Sequence, residues 1–299
     1  MTKFLDSEMV IDITSKLFTP SAVKVDYTLY DEIHLDLSSI TSILFRYFDQ
    51  PNQNIIEPKI DIKYMVRNTI MEPLLGFILN TVVAKNCKVR IYFTNKEDGM
   101  RKNIYPEWEH DRYSRWKSNN ELKFMLDRLV KSSLEETEKQ IPDKIKVVYN
   151  DNIPIDIIIY ERIRLSPKEM FHMIISRNTT TMCNLVNAGV HWYNGSIYFY
   201  KGGEAFIENS GKYPKIPPIF IPIYITLVGD TRYGYNGGYK YGKVKTTKLI
   251  KENYIQLLSN DYSCFEKANV PTKNIALFDS GKLKEHLSDV QLKHLLDIV

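Results

Sequence analysis

The sequence is poor in the features that would fix it in a membrane, cross-link it or give it a zinc motif. No apolar run reaches the about 18 residues of a membrane-spanning helix, so no membrane contact is expected. Residues 1–10 lack the basic start and long apolar core of a secretory signal. Three cysteines, Cys87, Cys183 and Cys264, share no metal-ligand spacing and read as free thiols in a reducing cytoplasm. The six histidines are scattered without an H-x-x-x-H pair, so their spacing points to no zinc set. His172 and His191 fall in apolar strands and read as core residues with a satisfied hydrogen bond. Neither a Gly-x-Ser-x-Gly turn nor a P-loop occurs. A large charge excess is missing as well. Lys and Arg number 40 against 36 Asp and Glu, a net charge of +4, so an anionic partner must be met by a local patch.

What is present reads as a soluble globular chain, 43% hydrophobic and 25% charged. Its 299 residues suffice for one large domain, or for a domain with an appended subdomain. Residues 32–37 (EIHLDL) alternate as a short buried strand with Asp36 near its tip, and residues 40–48 follow at helical spacing. Residues 60–85 read as a long helix before a second strand at 88–93 (KVRIYF). A polar helix at 119–138 leads to a third strand at 144–149 (KIKVVY). Pro154 then opens a helix through Arg164, with Asp156 in its first turn. A fourth strand at 171–176 (FHMIIS) ends in the polar tip Arg177-Asn178-Thr179-Thr180. Residues 190–193 and 196–200 read as a hairpin around Asn194-Gly195, and the tail, 251–299, reads as helical. Strands separated by helices favour a parallel sheet covered on both faces, with sites beyond the C-terminal strand ends.

Two stretches have the chemistry to hold a nucleic acid. Residues 101–116 (RKNIYPEWEHDRYSRW) mix cations that can grip phosphates with aromatics that can stack on bases. The same composition also suits an amphipathic surface helix with aromatic anchors. In residues 216–250 an apolar run, 219–228, ends at Gly229-Asp230. A loop with Gly234, Gly237, Gly238 and Gly242 follows, and Lys240, Lys243, Lys245, Lys248 and Lys251 lead into a helix. Glycines let the backbone approach phosphate, a helix N-terminus attracts anions, and lysines add sequence-independent attraction. An ordinary Gly-rich loop beside a solvated helix fits the same residues.

Taken in order, these segments resemble the flap endonuclease and phage 5′→3′ exonuclease family, the PIN-like structure-specific 5′ nucleases, over residues 32–250. Residues 33–39 (IHLDLSS) are similar to the family's first strand, with its metal-binding Asp followed by Ser. Residues 101–112 are similar to its Arg, Tyr-Pro and Tyr-Lys…Arg stretch, which contacts substrate phosphates. Residues 173–186 (MIISRNTTTMCNLV) resemble its Ile-Ile-Ser-x-Asp-x-Asp strand and loop. Residues 227–250 resemble its Gly-Asp tip and helix-three-turn-helix element, which in the family holds a potassium ion and the duplex backbone. The resemblance implies an α/β fold: a central, mainly parallel sheet flanked by helices over residues 1–215, and a helix-three-turn-helix and C-terminal helical region over 216–299. It places nucleic-acid contacts at Arg101, Lys102, Trp108, Arg112, Gly238, Lys240, Gly242, Lys243, Lys245, Thr246 and Lys248.

The catalytic part of the resemblance is incomplete. The family cuts phosphodiesters with two divalent ions held by a cluster of Asp and Glu. Here Asp36, Asp156 and Asp230 match three of those acids and are the implied metal ligands and residual catalytic residues. Elsewhere Thr94, Pro154, Asn178 and Thr180 stand where the family has acids, and a second acid of the Gly-Asp loop falls near Arg232 or Tyr233. Three carboxylates leave Mg²⁺ weakly bound or lost, with Glu97 or Asp98 as conceivable substitutes and K⁺ implied at the helix-three-turn-helix loop. The resemblance thus implies a phage-encoded protein of the host cytoplasm that binds DNA or RNA ends or junctions with cutting lost or much reduced. Protein partners in a phage replication or transcription assembly go with that reading. The alternatives are an active, divergent metal-dependent 5′ nuclease, and a structural subunit that uses the scaffold only for protein contacts.

Overall fold

The computed structural model describes residues 27–37, 72, 76, 87–93, 99–108, 120–176, 179–193, 216–238 and 241–299. Five short strands form one sheet: β1 (Glu32–Asp36), β2 (Lys88–Phe93), β3 (Ile145–Tyr149), β4 (His172–Ile175) and β5 (Val190–Tyr193). Their order is β3-β2-β1-β4-β5, and every pairing is parallel. The chain therefore builds outward from β1 to β3, then returns to the other side of β1 and builds outward again. The point of return, between β1 and β4, is where sheets of this kind place their ligands.

Parallel strands covered on both faces read as apolar runs, and β1 and β4 are buried at every position. β1 is unusual in carrying Glu32, His34 and Asp36 at alternate positions, hence on one face of the strand, while Ile33 and Leu35 take the other. β5, expected as one arm of a hairpin, pairs in parallel with β4. The proposed partner at 196–200 lies outside the described residues, as do the helix expected at 40–48 and, apart from the helical Glu72 and Gly76, that expected at 60–85.

Among the described residues the α-helices that run over consecutive positions are α1 (Gly99–Ile104), α2 (Asn120–Gln140), α3 (Ile155–Leu165), α4 (Thr179–Met182), α5 (Ile221–Val228), α6 (Lys243–Glu252), α7 (Tyr254–Leu258), α8 (Ser280–Lys284) and α9 (Asp289–Ile298). α2 packs along β3, burying Val130 and Leu134. α3 starts directly after Pro154, whose fixed φ and missing N–H suit a helix entrance, and buries Ile155, Ile157, Ile158 and Ile159. α5 is the apolar run before Gly229: it is hydrophobic on every side and buried from Ile221 to Leu227, as a central core helix must be. α9 begins with a capping box in which the Ser288 side chain accepts from the Gln291 N–H and the Gln291 side chain accepts from the Ser288 N–H.

Residues 216–299 share one hydrophobic core with the sheet. That core joins Ile158, Ile174 and Trp192 to Ile225, Phe265, Phe278 and Leu283. Trp108 stacks on Tyr233 with ring centroids 4.5 Å apart and lies 5.5 Å from Phe278. The boundary expected at 215/216 is thus spanned by continuous packing.

Candidate nucleic-acid interface and carboxylate sites

Asp36 ends the central strand beside the point where the chain reverses its order. It is 3% exposed, and the Ser176 hydroxyl, just past β4, donates to its Oδ2 at 2.6 Å. A hydroxyl on a carboxylate at that distance is a strong, charge-assisted bond. Ser176 is itself fixed, because its N–H bonds to Tyr193 O at 3.0 Å and its carbonyl accepts the Trp192 indole N–H, also at 3.0 Å. One acid is therefore held rigidly at the crevice between β1 and β4.

Asp156 has a different role. It lies in the first turn of α3, 3% exposed, and its Oδ2 accepts from Arg101 at 2.7 Å and from the Ser280 hydroxyl at 2.8 Å. Arg101, on α1, is 4% exposed and donates its Nε–H to Leu277 O at 2.7 Å. The pair thus ties α1, α3 and the start of α8 together. Asp230 follows the end of α5, partly buried, and its backbone bridges to Tyr235. Among the described residues, the group of His, Cys, Asp and Glu atoms lying mutually within 4.8 Å is Glu32, His34 and His172, so Asp36, Asp156 and Asp230 do not make one. Divalent magnesium needs several hard oxygen ligands around one point. The three matched acids do not fit that requirement, and Asp156 already faces a guanidinium.

Arg101 and Trp108, expected on the nucleic-acid face, are instead buried. Trp108 is 2% exposed between Tyr233, Phe278 and the Arg101 guanidinium, so it offers no face to a base. Lys102 is half-buried, and Arg112, Lys240, Thr94 and Asn178 lie outside the described residues. Thr180 lies in α4.

The Gly-rich segment divides in two. Gly229, Gly234 and Gly237 take positive φ. A Cβ on Gly229 would meet Asn236 C at 2.7 Å, and one on Gly237 would run into the Gly229 backbone, so these glycines permit the loop to fold on itself. Gly238 is also a packing residue, since its Cβ would lie 2.9 Å from Val270 and its N–H bonds to Leu227 O at 2.7 Å. Gly242 is the open one, with nothing within 4 Å of an added Cβ. It precedes α6 without a side-chain cap hydrogen bond. Lys243, Lys245 and Lys248 are exposed on this helix. Lys245 lies 4.4 Å from the Tyr241 ring, and Lys248 makes a solvent-exposed pair with Glu252 at 3.7 Å. Thr246 points inward, 0% exposed.

A second cluster escaped sequence reasoning. Glu32 and His172 are register partners on β1 and β4, and His34 is two residues from Glu32 on the same face. His34 Nε2 is 3.1 Å from His172 Nδ1, and His34 Nδ1 is 2.8 Å from the Tyr92 hydroxyl. Glu32 Oε1 accepts from Arg90 at 2.6 Å, and Oε2 from Arg162 at 2.9 Å. Burial raises the Glu32 carboxyl, but His34, Arg162 and Arg90 outweigh it and hold it down at about 2. Burial pushes His34 down to about 3 and lowers His172 as well. His191 bonds the Tyr30 hydroxyl at 2.7 Å. The signal available was the alternation of Glu32, His34 and Asp36. What brings His172 to them is the sheet order, which spacing along the chain does not reveal.

No protein-family model matches the sequence, and no curated protein matches it. Solved structures do. A bacteriophage T5 flap endonuclease in a pseudo-enzyme–product complex with DNA and metal ions has a TM-score of 0.58 and 13% identity, covering 89% of this chain and 97% of that one. The T5 5′-exonuclease with bound zinc ions gives 0.55 and 12%, covering 89% and 98%. The T5 protein co-crystallised with metal ions gives 0.61 and 12%, covering 89% and 96%. With its parallel sheet flanked by helices and these superpositions, the chain has the PIN-like fold of the flap endonucleases and 5′-exonucleases.

Proposed function

We propose that the protein binds nucleic acid ends or junctions on a 5′-nuclease scaffold whose cutting centre is lost or much reduced. The observation that carries this reading is the Asp156 carboxylate, which is buried and bound to Arg101 and Ser280 at 2.7 and 2.8 Å. An acid so engaged serves the fold, because releasing it to an ion would strand a buried guanidinium. Binding is supported by the uncapped start of α6 with Lys243, Lys245 and Lys248 exposed around it. Residues 227–250 are then the helix-three-turn-helix element and contact the phosphate backbone. A DNA complex of the T5 flap endonuclease supports DNA as the ligand, and the phage source of that neighbour supports a phage-encoded protein acting in the host cytoplasm.

The second reading, an active divergent nuclease, has one observation in its favour: Asp36 is fixed at the sheet crevice. One experiment addresses both. Labelled 5′-flap DNA is titrated with wild-type protein and with the triple variant Lys243→Ala, Lys245→Ala, Lys248→Ala at several salt concentrations, and cleavage is followed with Mg²⁺ and Mn²⁺. The triple variant should bind more weakly, its salt slope falling by about 0.9 for each phosphate it no longer neutralises. Wild-type cleavage should stay at background. Unchanged affinity and slope would refute the binding face. Brisk metal-dependent cleavage abolished by Asp36→Ala would replace this reading with the nuclease.

A further inference from the structure

We propose that Glu32, His34 and His172 form a binding site for one divalent transition-metal ion of the zinc class, structural in role and distinct from the acidic strand tips. The site lies at the N-terminal half of β1 and β4. Asp36 is four residues along β1 from Glu32, about 13 Å at strand rise, so this is not the crevice at which the fold places its nucleic-acid chemistry.

The argument is first geometric. The three candidate ligand atoms are separated by 3.1 Å (His34 Nε2 to His172 Nδ1), 3.7 Å (His34 Nε2 to Glu32 Oε2) and 3.8 Å (His172 Nδ1 to Glu32 Oε2). The point equidistant from the corners of such a triangle lies about 2.1 Å from each, which is the length of zinc–imidazole and zinc–carboxylate bonds. Three bonds of that length can therefore meet at one point without the ligand atoms moving. The 3.7 and 3.8 Å separations are too long for hydrogen bonds, so Oε2 faces both rings without being bonded to either.

The surroundings orient the ligands. Metal-bound imidazoles are oriented by a hydrogen bond from the other ring nitrogen, and His34 has that partner in the Tyr92 hydroxyl at 2.8 Å. With His34 protonated on Nδ1 and donating to Tyr92, its Nε2 keeps a lone pair, and an ion would take the place of the hydrogen bond that now joins it to His172 Nδ1. His172 needs only the tautomer that carries its proton on Nε2, so two neutral rings bind the ion and no proton need leave.

Charge selects the kind of ion. Arg90 and Arg162 offset the charge of Glu32, which leaves little for a hard cation such as Mg²⁺ to gain. Imidazole nitrogens instead suit zinc, cobalt, nickel or copper. The two guanidinium side chains are 17% and 22% exposed, so part of their charge is solvated. Glu32, His34 and His172 are at most 2% exposed, which leaves no open position for a substrate. The ion would pin β1 to β4, two strands far apart in the chain.

The test is stoichiometric Co²⁺ and Zn²⁺ binding by the folded full-length protein. Wild type should take up about one Co²⁺ per chain with the visible absorption of a low-coordinate nitrogen and oxygen site, displaced by Zn²⁺ and not by Mg²⁺. Zn²⁺ should also raise its melting temperature. Asp36→Asn should leave the Co²⁺ spectrum unchanged, which separates this site from the acidic tips. Tyr92→Phe keeps the buried ring and removes the orienting hydroxyl, so affinity should fall by roughly 10–100-fold. His172→Gln should abolish the spectrum; should that variant fail to fold, the wild-type and Tyr92→Phe measurements decide. Folded wild type without stoichiometric Co²⁺, a spectrum lost in Asp36→Asn, or an unchanged affinity in Tyr92→Phe overturns the proposal.

Discussion

Replacing Asp156 with Ala leaves the Arg101 guanidinium, 4% exposed, without the carboxylate it meets at 2.7 Å. The Ser280 hydroxyl loses its 2.8 Å acceptor in the same step. Breaking a buried ion pair from one side costs about 3–5 kcal/mol, because the remaining charge stays desolvated. Against a total stability of about 5–15 kcal/mol, that is a large fraction. The reverse truncation, Arg101→Met, strands Asp156 and should cost a similar amount, about 3–5 kcal/mol. The double variant Asp156→Leu, Arg101→Met removes both charges and should recover most of that loss, since buried pairs replaced by apolar groups of similar volume are often neutral or stabilising. Urea unfolding followed by circular dichroism measures all three. A single-variant loss under about 1 kcal/mol, the scale of a surface pair, would refute the structural role of this carboxylate and make Asp156 available again as a metal ligand.

Two more outcomes are expected. Trp108→Ala removes a ring that is 2% exposed and stacked on Tyr233, so it should cost about 3–5 kcal/mol of stability while leaving DNA affinity per folded molecule unchanged; a binding loss at unchanged stability would contradict the burial. Stability should also fall on acidification: His34 is held down to about 3 by burial, so the unfolded chain takes up its proton first as pH drops below about 6.5. The contribution is complete above that pH and is lost progressively down to about 3, at about 1.4 kcal/mol per pH unit for this ring. Glu32, held down at about 2, adds a further loss below about 4.5. Unfolding curves that do not change between pH 7 and 5 would rule this out.

β2 and β3 were legible because each is a short, mostly β-branched or aromatic run, KVRIYF and IKVVY. The helix IDIIIYERIRL was legible from Pro154 at its entrance. What spacing could not supply was burial. The stretch from Arg101 to Trp108 mixes cations and aromatics, and that composition is the same whether it faces DNA or the core. Tyr233 and Phe278, which decide it, come from far along the chain. Gly238 and Thr246 had the same ambiguity, and packing against Val270 and the core resolves it. Gly242 has open space around it, and Lys243, Lys245 and Lys248 of α6 are exposed.

The strand order also has a consequence for synthesis. β1 is central, yet one of its neighbours is made long after it: His34 and His172, which meet across the β1–β4 pair, are 138 residues apart. At about 5–20 residues per second, a ribosome needs about 7–28 s to cover that distance. During that interval β1 can pair with β2, and β2 with β3, while the edge awaiting β4 stays open. Unpaired strand edges of this kind recruit other chains, and parallel pairing between distant segments is slow. Glu32 and His34, whose cost is felt only once they are buried, lie on one face of that unfinished strand. A polar face there makes the half-built sheet a poorer template for a neighbouring nascent chain than an all-aliphatic strand would be.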